Sequence, residues 1–458
     1  MKGLLKIILA IVPVMAAMDM SAAEKDHSAA KDHLQNHYKL YGFVRNYFAF
    51  DTRESKSGTG DLFYYLPKDR NLNELGEDLN AQNSFRFLAL TSRLGVDVSG
   101  YHIGKTHFGA KIEGDFYAGL SGSTGTATAR LRQAYATISW KDLPMRNDGK
   151  ANVALKVGQA WHPIAADQPD VFDLSAGAPF NPFSRTPQVT MDASLGNHWI
   201  LTASLLWQMQ YTSAGPSGDV SSYIKYSCTP EIYAGITYKT KGFLVRAGAD
   251  LLSIKPRWQG EVLVSSPKDN ASDMTVTRKV SDRLTTISPY MYLQYKKDKF
   301  TAKAKTTYGS AGEHVGLMSG YGVTAKYDAL NEDGHWDYAP LHSSSSWMTL
   351  SYEKKWQGTL FCGYVKNLGS SADLLNEDGV TAADDFWFNK NGFKNLNQIV
   401  RVSPQVLFNY GKLALGLEYE FTAVQYGDGK SYNKRGLSLE DLHWISNHRV
   451  QMVVKFSF

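Results

Sequence analysis

Hydrophobic and polar residues alternate at every second position along most of the chain from residue 39 onward. In the segment HFGAKIEGDFYA, for example, Phe108 and Ala110 share one face, whereas Lys111 and Glu113 share the other. A period of two is typical of β-strands with one apolar face and one face in water. The pattern therefore predicts an all-β protein.

The connections between these segments alternate between short and long. Short links include LGNH at 195–198 and YGK at 410–412, whereas long links include 52–83 and 161–187. This organisation is that of a transmembrane antiparallel β-barrel of about 16 strands, with short periplasmic turns and long extracellular loops. The predicted strands span residues 39–51, 84–99, 106–117, 129–140, 152–160, 188–195, 198–211, 231–238, 243–256, 283–295, 300–308, 345–354, 359–367, 396–410, 413–426 and 446–458.

The chain ends in VQMVVKFSF, a half-apolar strand that finishes on an aromatic residue. Val450, Met452 and Phe456 would face lipid, while Arg449 and Lys455 would face the lumen. A closed barrel explains such an end, because the last strand can satisfy its backbone hydrogen bonds by pairing with the first. Tyrosines near strand ends are expected to form an aromatic girdle at the membrane interface: Tyr238, Tyr295, Tyr410 and Tyr426.

The first residues differ from the rest of the chain. Lys2 and Lys6 precede an apolar run at 7–15, and small residues follow at 21–23. This order predicts a signal peptide over residues 1–23, because the apolar run is too short to span a bilayer. A short segment at 24–38 and the barrel at 39–458 would follow. The predicted location is the outer membrane of a Gram-negative bacterium.

Composition excludes some partners. The chain of 458 residues carries 49 Lys and Arg against 44 Asp and Glu, and its formal net charge of +5 is not concentrated in a block. Nucleic acid is therefore not indicated as a partner. The mean hydropathy of −0.32 is compatible with strands that are apolar on one face only.

Motifs for catalysis or cofactor binding are missing from the sequence. It contains no GxSxG, HExxH or CxxC motif, so we predict a protein that is not an enzyme and needs no cofactor. Two LNEDG segments, with Asp333 and Asp378, could bind Ca²⁺ or simply form Asp-Gly turns. His33 and His37 could bind a metal if their segment were helical, although it is also compatible with a solvated spacer.

Charged residues on the polar strand faces would line the lumen, and basic residues outnumber acidic ones there. Because rings of fixed charge select ions by sign, a mild anion preference is predicted. The alternative is that the arginines and carboxylates pair with one another along the wall. The residues assigned to the lumen are Arg45, Arg93, Lys111, Arg130, Arg132, Lys156, Arg246, Lys303, Lys305, Arg401, Arg449, Lys455, Asp97, Glu113, Asp115, Asp250, Glu418 and Glu420.

Several segments together resemble a known family. LYGFVRNYFAFD, SRLGVD, KIEGDFYA, ARLRQAYATISW, LKVGQAWHP and the terminal VQMVVKFSF are similar to the trimeric sixteen-stranded porins, and among these to the DcaP-like porins of Gram-negative bacteria. The resemblance implies a water-filled channel for passive diffusion of small hydrophilic solutes, anions among them. It also implies a homotrimer surrounded by outer-membrane lipids, and recognition of Phe458 by the barrel assembly machinery.

The resemblance further implies that the third loop, here residues 161–186, folds into the lumen and narrows it. Its acidic residues are expected to face Arg93, Arg130 and Arg132 across a constriction, where a transverse field would orient solutes. The predicted basic wall comprises Arg45, Arg93, Lys111, Arg130 and Arg132. The predicted acidic groups are Asp97, Glu113, Asp115, Asp167, Asp170 and Asp173.

Two further expectations concern partners. On a strictly alternating fourth strand, Gln133, Tyr135, Thr137 and Ser139 lie opposite the arginines, and an outward face this polar suits a protein neighbour better than lipid. The competing functional hypothesis is a surface-binding, adhesion or structural barrel that acts through its long loops. An active receptor-type barrel would need a plug domain, for which only the short 24–38 segment is available ahead of the first strand.

Overall fold

A computed structural model describes residues 36–59, 62–89, 91–121, 125–145, 149–172, 176–265, 272–388 and 394–458. The predicted signal peptide lies outside the described residues, as do His33 and Asp173.

Sixteen strands form one closed antiparallel sheet, as the alternation predicts. Each strand pairs with its neighbours in sequence, and the last strand pairs with the first. The strands are β1 (His37–Asp51), β2 (Ser84–Leu88 and Arg93–Ser99), β3 (Thr106–Asp115), β4 (Arg130–Pro144), β5 (Lys150–Trp161), β6 (Arg185–Leu195), β7 (Trp199–Leu206), β8 (Glu231–Lys239), β9 (Phe243–Ile254), β10 (Leu284–Lys297), β11 (Phe300–Ser310), β12 (Trp336–Tyr352), β13 (Trp356–Ser370), β14 (Leu396–Tyr410), β15 (Leu413–Tyr426) and β16 (His443–Ser457).

Two strands differ most from their predicted bounds. β12 begins at Trp336 instead of 345, because its first residues pair with the loop strand Gly320–Lys326. β7 ends at Leu206 instead of 211, because the chain turns back there. That turn is closed by the side chain of Gln208, which accepts a hydrogen bond from the Ser213 N–H at 2.9 Å.

The long connections carry short elements of their own. The loop strands are Ser55–Thr59, Leu62–Pro67, Leu120–Ser121, Thr126–Ala127, Gln259–Val264, Met274–Lys279, Gly320–Lys326 and Phe386–Phe388, and a further short strand, His102–Ile103, lies in the short link between β2 and β3. One α-helix, Ser222–Ser227, and three 3₁₀-helices, Pro163–Ala165, Glu313–Val315 and Ala383–Asp385, complete the described elements. In the described part of the chain, no helix has the length and apolar character needed to cross a membrane.

The outer surface of the barrel is apolar, with aromatic residues at the short-turn end. There Trp199 lies 4.9 Å from Tyr238, measured between ring centroids, and Tyr295 and Tyr410 are exposed. Such a surface suits lipid with an interfacial aromatic girdle. The prediction was wrong for Tyr426, which is fully buried at the long-loop end, where its hydroxyl donates to the Pro67 carbonyl.

The barrel closes between β1 and β16. Their register runs from Phe43 opposite Ser457 to Asp51 opposite Arg449. Beyond β16, Phe458 exchanges two backbone hydrogen bonds with Gly42, at 3.0 and 3.2 Å. A Cβ on Gly42 would lie 2.8 Å from the Phe458 ring, so only glycine gives the terminal aromatic this space.

A β-bulge in β4 corrects one prediction. The register with β3 shifts between Leu131 and Gln133, so Arg132 and Gln133 both point into the barrel and both donate to Glu113. One extra residue reverses the alternation that follows it. Gln133, Tyr135, Thr137 and Ser139 therefore face inward, and the outward face of β4 consists of Ala134, Ala136, Ile138 and Trp140. The argument for a protein neighbour from a polar outer face is wrong.

Candidate functional site

The inner wall of β2, β3 and β4 carries a dense ion-pair network. Asp115 accepts two hydrogen bonds from Arg130, both at 3.1 Å, and one from Arg132 at 2.8 Å. Glu113 accepts from Arg132 at 2.8 Å, and Arg93 lies 3.9 Å from the same carboxylate. These predicted wall residues do come together. Their arginines are mostly neutralised by neighbouring carboxylates, as the pairing alternative anticipated.

The remaining ion pair of the predicted site, between Lys111 and Asp97, lies nearer the short-turn end. Lys111 of β3 contacts Asp97 of β2 with an Nζ to Oδ1 distance of 3.1 Å. The Asp97 side chain is partly exposed, so this pair is hydrated and contributes little to stability. It adds no net charge to the wall.

A basic patch with few carboxylates lies beside the seam. We define it as Arg45, Arg93 and Lys455, whose charged groups lie 5.0, 5.1 and 5.6 Å from the ring centre of Phe43. Arg45 and Lys455 are directly opposite each other in the register of β1 and β16. Arg45 also donates to the Tyr117 hydroxyl.

Like charges at directly opposed strand positions repel and lower stability. Among the described residues, neither Arg45 nor Lys455 forms an ion pair with a carboxylate. Arg45 is thus the residue of the predicted basic wall whose positive charge is least compensated among the described residues, and Lys455 adds a second such charge beside it. A cost of this kind is common at functional sites.

The described parts of the third loop, residues 162–172 and 176–184, fold into the barrel and contact the opposite wall. Phe180 is fully buried, and its ring packs edge-on against Phe361 of β13 with 5.7 Å between centroids. The Arg401 guanidinium lies 5.1 Å from the centre of the same ring. A Cβ added at Gly363 would lie 2.5 Å from the Phe180 ring, so the glycine leaves the space that this ring occupies.

Polar contacts fix the same loop to β11 and β12. The buried ammonium of Lys305 donates to the Ile164 carbonyl at 2.5 Å and to the Asn181 side-chain oxygen at 3.1 Å. Trp347 donates from its indole nitrogen to the same Asn181 oxygen at 3.0 Å. Hydrogen bonds of this kind satisfy buried backbone and side-chain groups that would otherwise be costly in the interior.

The two described acidic residues of the third loop, Asp167 and Asp170, do not contact the predicted partners. Asp167 binds Arg246 of β9 at 2.6 Å, and Asp170 binds Lys303 of β11 at 2.7 Å. Asp167 and Asp170 therefore neutralise basic residues of the wall against which the loop packs. Asp173 lies outside the described residues, so its role in the constriction stays a prediction.

A second ion-pair network crosses the seam at buried positions. Arg401, Glu420, Arg449, Asp51 and Arg86 follow one another on β14, β15, β16, β1 and β2, with successive contacts of 3.4, 3.4, 2.8 and 2.7 Å. Alternating charges on adjacent strands compensate one another across the point where the barrel closes. Pairs as buried as these are costly to break, because removal of one partner leaves the other charge unpaired.

Sequence reasoning did not select Asp51, Arg86 or Arg185 for the site. Arg185 is fully buried, donates to the Tyr211 hydroxyl at 2.8 Å and lies 4.7 Å from the centre of the Trp161 ring. All three occur at strand ends next to long loops, where strand boundaries are least certain. The signal that could have revealed them is a charged residue at an inward position of the alternation.

For Asp333 and Asp378, Ca²⁺ binding stays a prediction.

A closed barrel with an apolar exterior, a charged interior and an inserted third loop defines the outer-membrane barrel class of fold. Among solved structures, the chain is similar to the outer membrane channel DcaP of Acinetobacter baumannii, with 18% identity and a TM-score of 0.58 over 92% of this chain and 97% of that one. This similarity confirms the predicted resemblance to DcaP-like porins at the level of the fold.

Two other similar structures are more distant. An anion-selective porin from Comamonas acidovorans matches at 11% identity and a TM-score of 0.49, covering 93% of this chain and all of that one. The outer-membrane protein OmpT of Vibrio cholerae matches at 11% identity and a TM-score of 0.47, covering 92% and 98%. No protein-family model matches the sequence, and no curated protein matches it significantly.

Proposed function

We propose that this protein is an outer-membrane porin that lets small hydrophilic solutes diffuse through a hydrated lumen without catalysis. The observation that carries the proposal is the lining of the barrel. Charged side chains from most strands point inward. A dry, filled interior would make a charge such as Lys455, which has no ion pair among the described residues, costly. A water-filled lumen solvates them, and the apolar outer face suits a bilayer.

The fold shared with a protein that is described as an outer membrane channel agrees with this proposal. At 18% identity, however, that similarity carries the fold alone, so the function rests on the lining. A surface-binding or structural barrel would also have long loops. It would not require an inner wall with uncompensated positive charge.

Reconstitution of the purified full chain into planar bilayers tests the proposal. A porin gives stepwise conductance increases, and liposomes that contain it swell in sugar solutions at rates that fall with solute size. Protein that is inserted, as judged by protease protection, yet gives neither conductance nor swelling would refute the proposal and favour the surface-binding alternative. Steps that occur in threes would support the predicted homotrimer.

The proposal extends to charge selectivity. The basic patch leaves positive charge on the wall beside the seam, whereas Asp167 and Asp170 of the third loop are paired with Arg246 and Lys303. Fixed positive charge along a pore favours anions. The reversal potential across a bilayer with a KCl gradient measures this preference, and clear cation selectivity would contradict it.

The remaining parts of the proposal concern assembly and location. They are export by the N-terminal signal peptide, insertion in a Gram-negative outer membrane, and recognition of Phe458 by the barrel assembly machinery. The apolar exterior agrees with insertion, and the position of Phe458 at the seam agrees with its recognition. Fractionation of cells that express the full chain tests the location. Accumulation in the inner membrane or cytoplasm would contradict it.

A further inference from the structure

Four buried side chains from four separate segments converge on one point inside the barrel. His162 follows β5 at the start of the third loop, Glu231 begins β8, Asp250 lies in β9, and His314 lies in the 3₁₀-helix Glu313–Val315. One ligating atom from each lies within 4.8 Å of the other three. Their exposed fractions are between 1% and 4%, so bulk water does not reach the cluster.

The geometry brings both imidazoles to one carboxylate oxygen. Oε1 of Glu231 lies 3.0 Å from Nε2 of His162 and 2.7 Å from Nε2 of His314. Oδ1 of Asp250 lies 3.7 Å from the same His162 nitrogen. The two rings are inclined at 69° to each other, so their nitrogens approach the oxygen from different directions.

A second observation points to a ligand. Oδ1 of Asp250 is buried and has no hydrogen-bond partner within the described residues, although it is directed into the cluster. Buried polar atoms are nearly always satisfied, so each such exception needs an explanation.

We propose that His162, Glu231, Asp250 and His314 form a structural binding site for a divalent transition-metal ion, with Zn²⁺ as the preferred ion. Two imidazole nitrogens and two carboxylate oxygens are ligands that Zn²⁺ accepts in tetrahedral sites. Bonds of about 2.0 to 2.1 Å in that geometry separate ligand atoms by about 3.3 Å. The observed separations of 2.7, 3.0 and 3.7 Å lie on either side of this value.

Charge balance supports a dication. With neutral histidines, the two carboxylates place two negative charges in a site without water, which is unfavourable unless cations compensate them. A divalent ion makes the site neutral. The competing arrangement contains no metal and shares protons among the two histidines and the two carboxylates.

Metal binding would also change one existing contact. The Ile164 N–H donates to Nδ1 of His162 at 3.3 Å, near the long limit for a hydrogen bond. A metal on Nε2 leaves the proton of a neutral imidazole on Nδ1, so this contact must open. Because the bond is long, its loss costs little compared with the metal bonds gained.

The site would hold the third loop at both of its ends. His162 begins the loop, and its N–H donates to the carbonyl of Ser184 near the loop's end at 3.0 Å. Phe183 then donates from its N–H to the Val315 carbonyl at 2.7 Å, next to His314. A metal ion here would cross-link the loop to β8, β9 and the Glu313–Val315 segment.

The test uses the purified full-length barrel in detergent, incubated with ZnSO₄, desalted and analysed by mass spectrometry for metal content. We expect about one Zn²⁺ per chain in the wild type. In His314→Gln, which keeps a polar side chain at this position, we expect at least about tenfold weaker binding. The matched control, His198→Gln, alters an exposed turn histidine and should leave the zinc content unchanged.

Asp250→Asn provides a second variant should His314→Gln fold poorly, and the heat-modified electrophoretic mobility of the barrel identifies the folded fraction of each. In wild type alone, Zn²⁺ should raise the unfolding temperature and EDTA should lower it. Tetrahedral Co²⁺ absorption in the visible range would support the same ligand set. Substoichiometric zinc in folded wild type, or equal zinc in wild type and both ligand variants, would overturn the proposal and leave the proton-sharing network. None of these measurements depends on channel activity.

Discussion

The substitution Lys455→Glu gives the sharpest test of how the lumen wall acts on ions. Lys455 faces Arg45 across the seam and contacts the Phe43 ring, without an ion pair to a carboxylate among the described residues. The change replaces one positive charge by one negative charge within the basic patch. It therefore alters the local charge by two units without touching the third loop.

The expected size follows from Coulomb's law. A fixed charge about 8 Å from a passing monovalent ion in a hydrated lumen contributes about 0.5 kcal/mol, and screening at physiological ionic strength reduces this to about 0.2 kcal/mol. Two units of charge then change the energy of each ion by about 0.4 kcal/mol, or about twofold in occupancy. Because anions and cations shift in opposite directions, the anion-to-cation permeability ratio should fall about fourfold.

The assay is the reversal potential of the reconstituted protein across a KCl gradient. Lys455→Met, which removes charge without reversing it, should lower the ratio about twofold. Lys412→Glu makes the same charge change in an exposed turn and serves as the matched control. An unchanged ratio in Lys455→Glu, or an equal change in Lys412→Glu, would refute the idea that the basic patch contributes to selectivity.

The same variant separates selectivity from damage to the fold. Lys455→Glu replaces repulsion across the seam by attraction to Arg45, so its unfolding temperature should rise or stay constant. A variant that loses anion preference and stability together would indicate misfolding of the seam.

Three further predictions concern the loops and the seam. Phe180→Ala removes the fully buried anchor of the third loop, and this should weaken docking of the loop by about 3 to 5 kcal/mol. Single-channel conductance or current noise should then rise. An unchanged current trace would contradict this prediction. Deletion of Phe458 removes its contacts with Gly42 and should lower the amount of assembled barrel in the membrane more than it lowers conductance per channel, whereas normal membrane levels would contradict this. Burial alone would raise the pKa of Asp78, but backbone N–H groups and Arg53 at 2.8 Å lower the pKa below its ordinary value. The Asp78 carboxylate therefore stabilises the 52–83 loop at pH values above its ordinary pKa, and this stabilisation is lost as the pH falls through the lowered pKa. Proteolysis of that loop should increase at acidic pH in the wild type and depend less on pH in Asp78→Asn.

The strands were predictable because each keeps its own alternation of apolar and polar residues. The two segments 396–410 and 413–426 match β14 and β15 at both ends, and the tight turn at 411–412 marks the limit that they share. Alternation fails where one residue is inserted. Arg132 and Gln133 of β4 are adjacent in sequence yet contact the same carboxylate, which a strict period of two cannot predict.

The contents of the lumen were harder to predict than its wall. The wall pairs of Arg130 and Arg132 follow from neighbouring strands, whereas the partner of Asp167 depends on the path of the third loop through space. The proposed metal site illustrates the limit. Glu231 lies 69 residues after His162 and 83 residues before His314, and no local pattern links them.

The seam has a consequence for the order of synthesis and folding. Every other barrel pairing joins strands that follow one another along the chain, but Arg449 reaches Asp51 over a separation of 398 residues. Until β16 has been made, β1 has no partner on one edge, and exposed strand edges promote aggregation. The sheet can therefore close only after nearly all of the described strands have been synthesised, so its two outer edges must be protected from other partners until they meet.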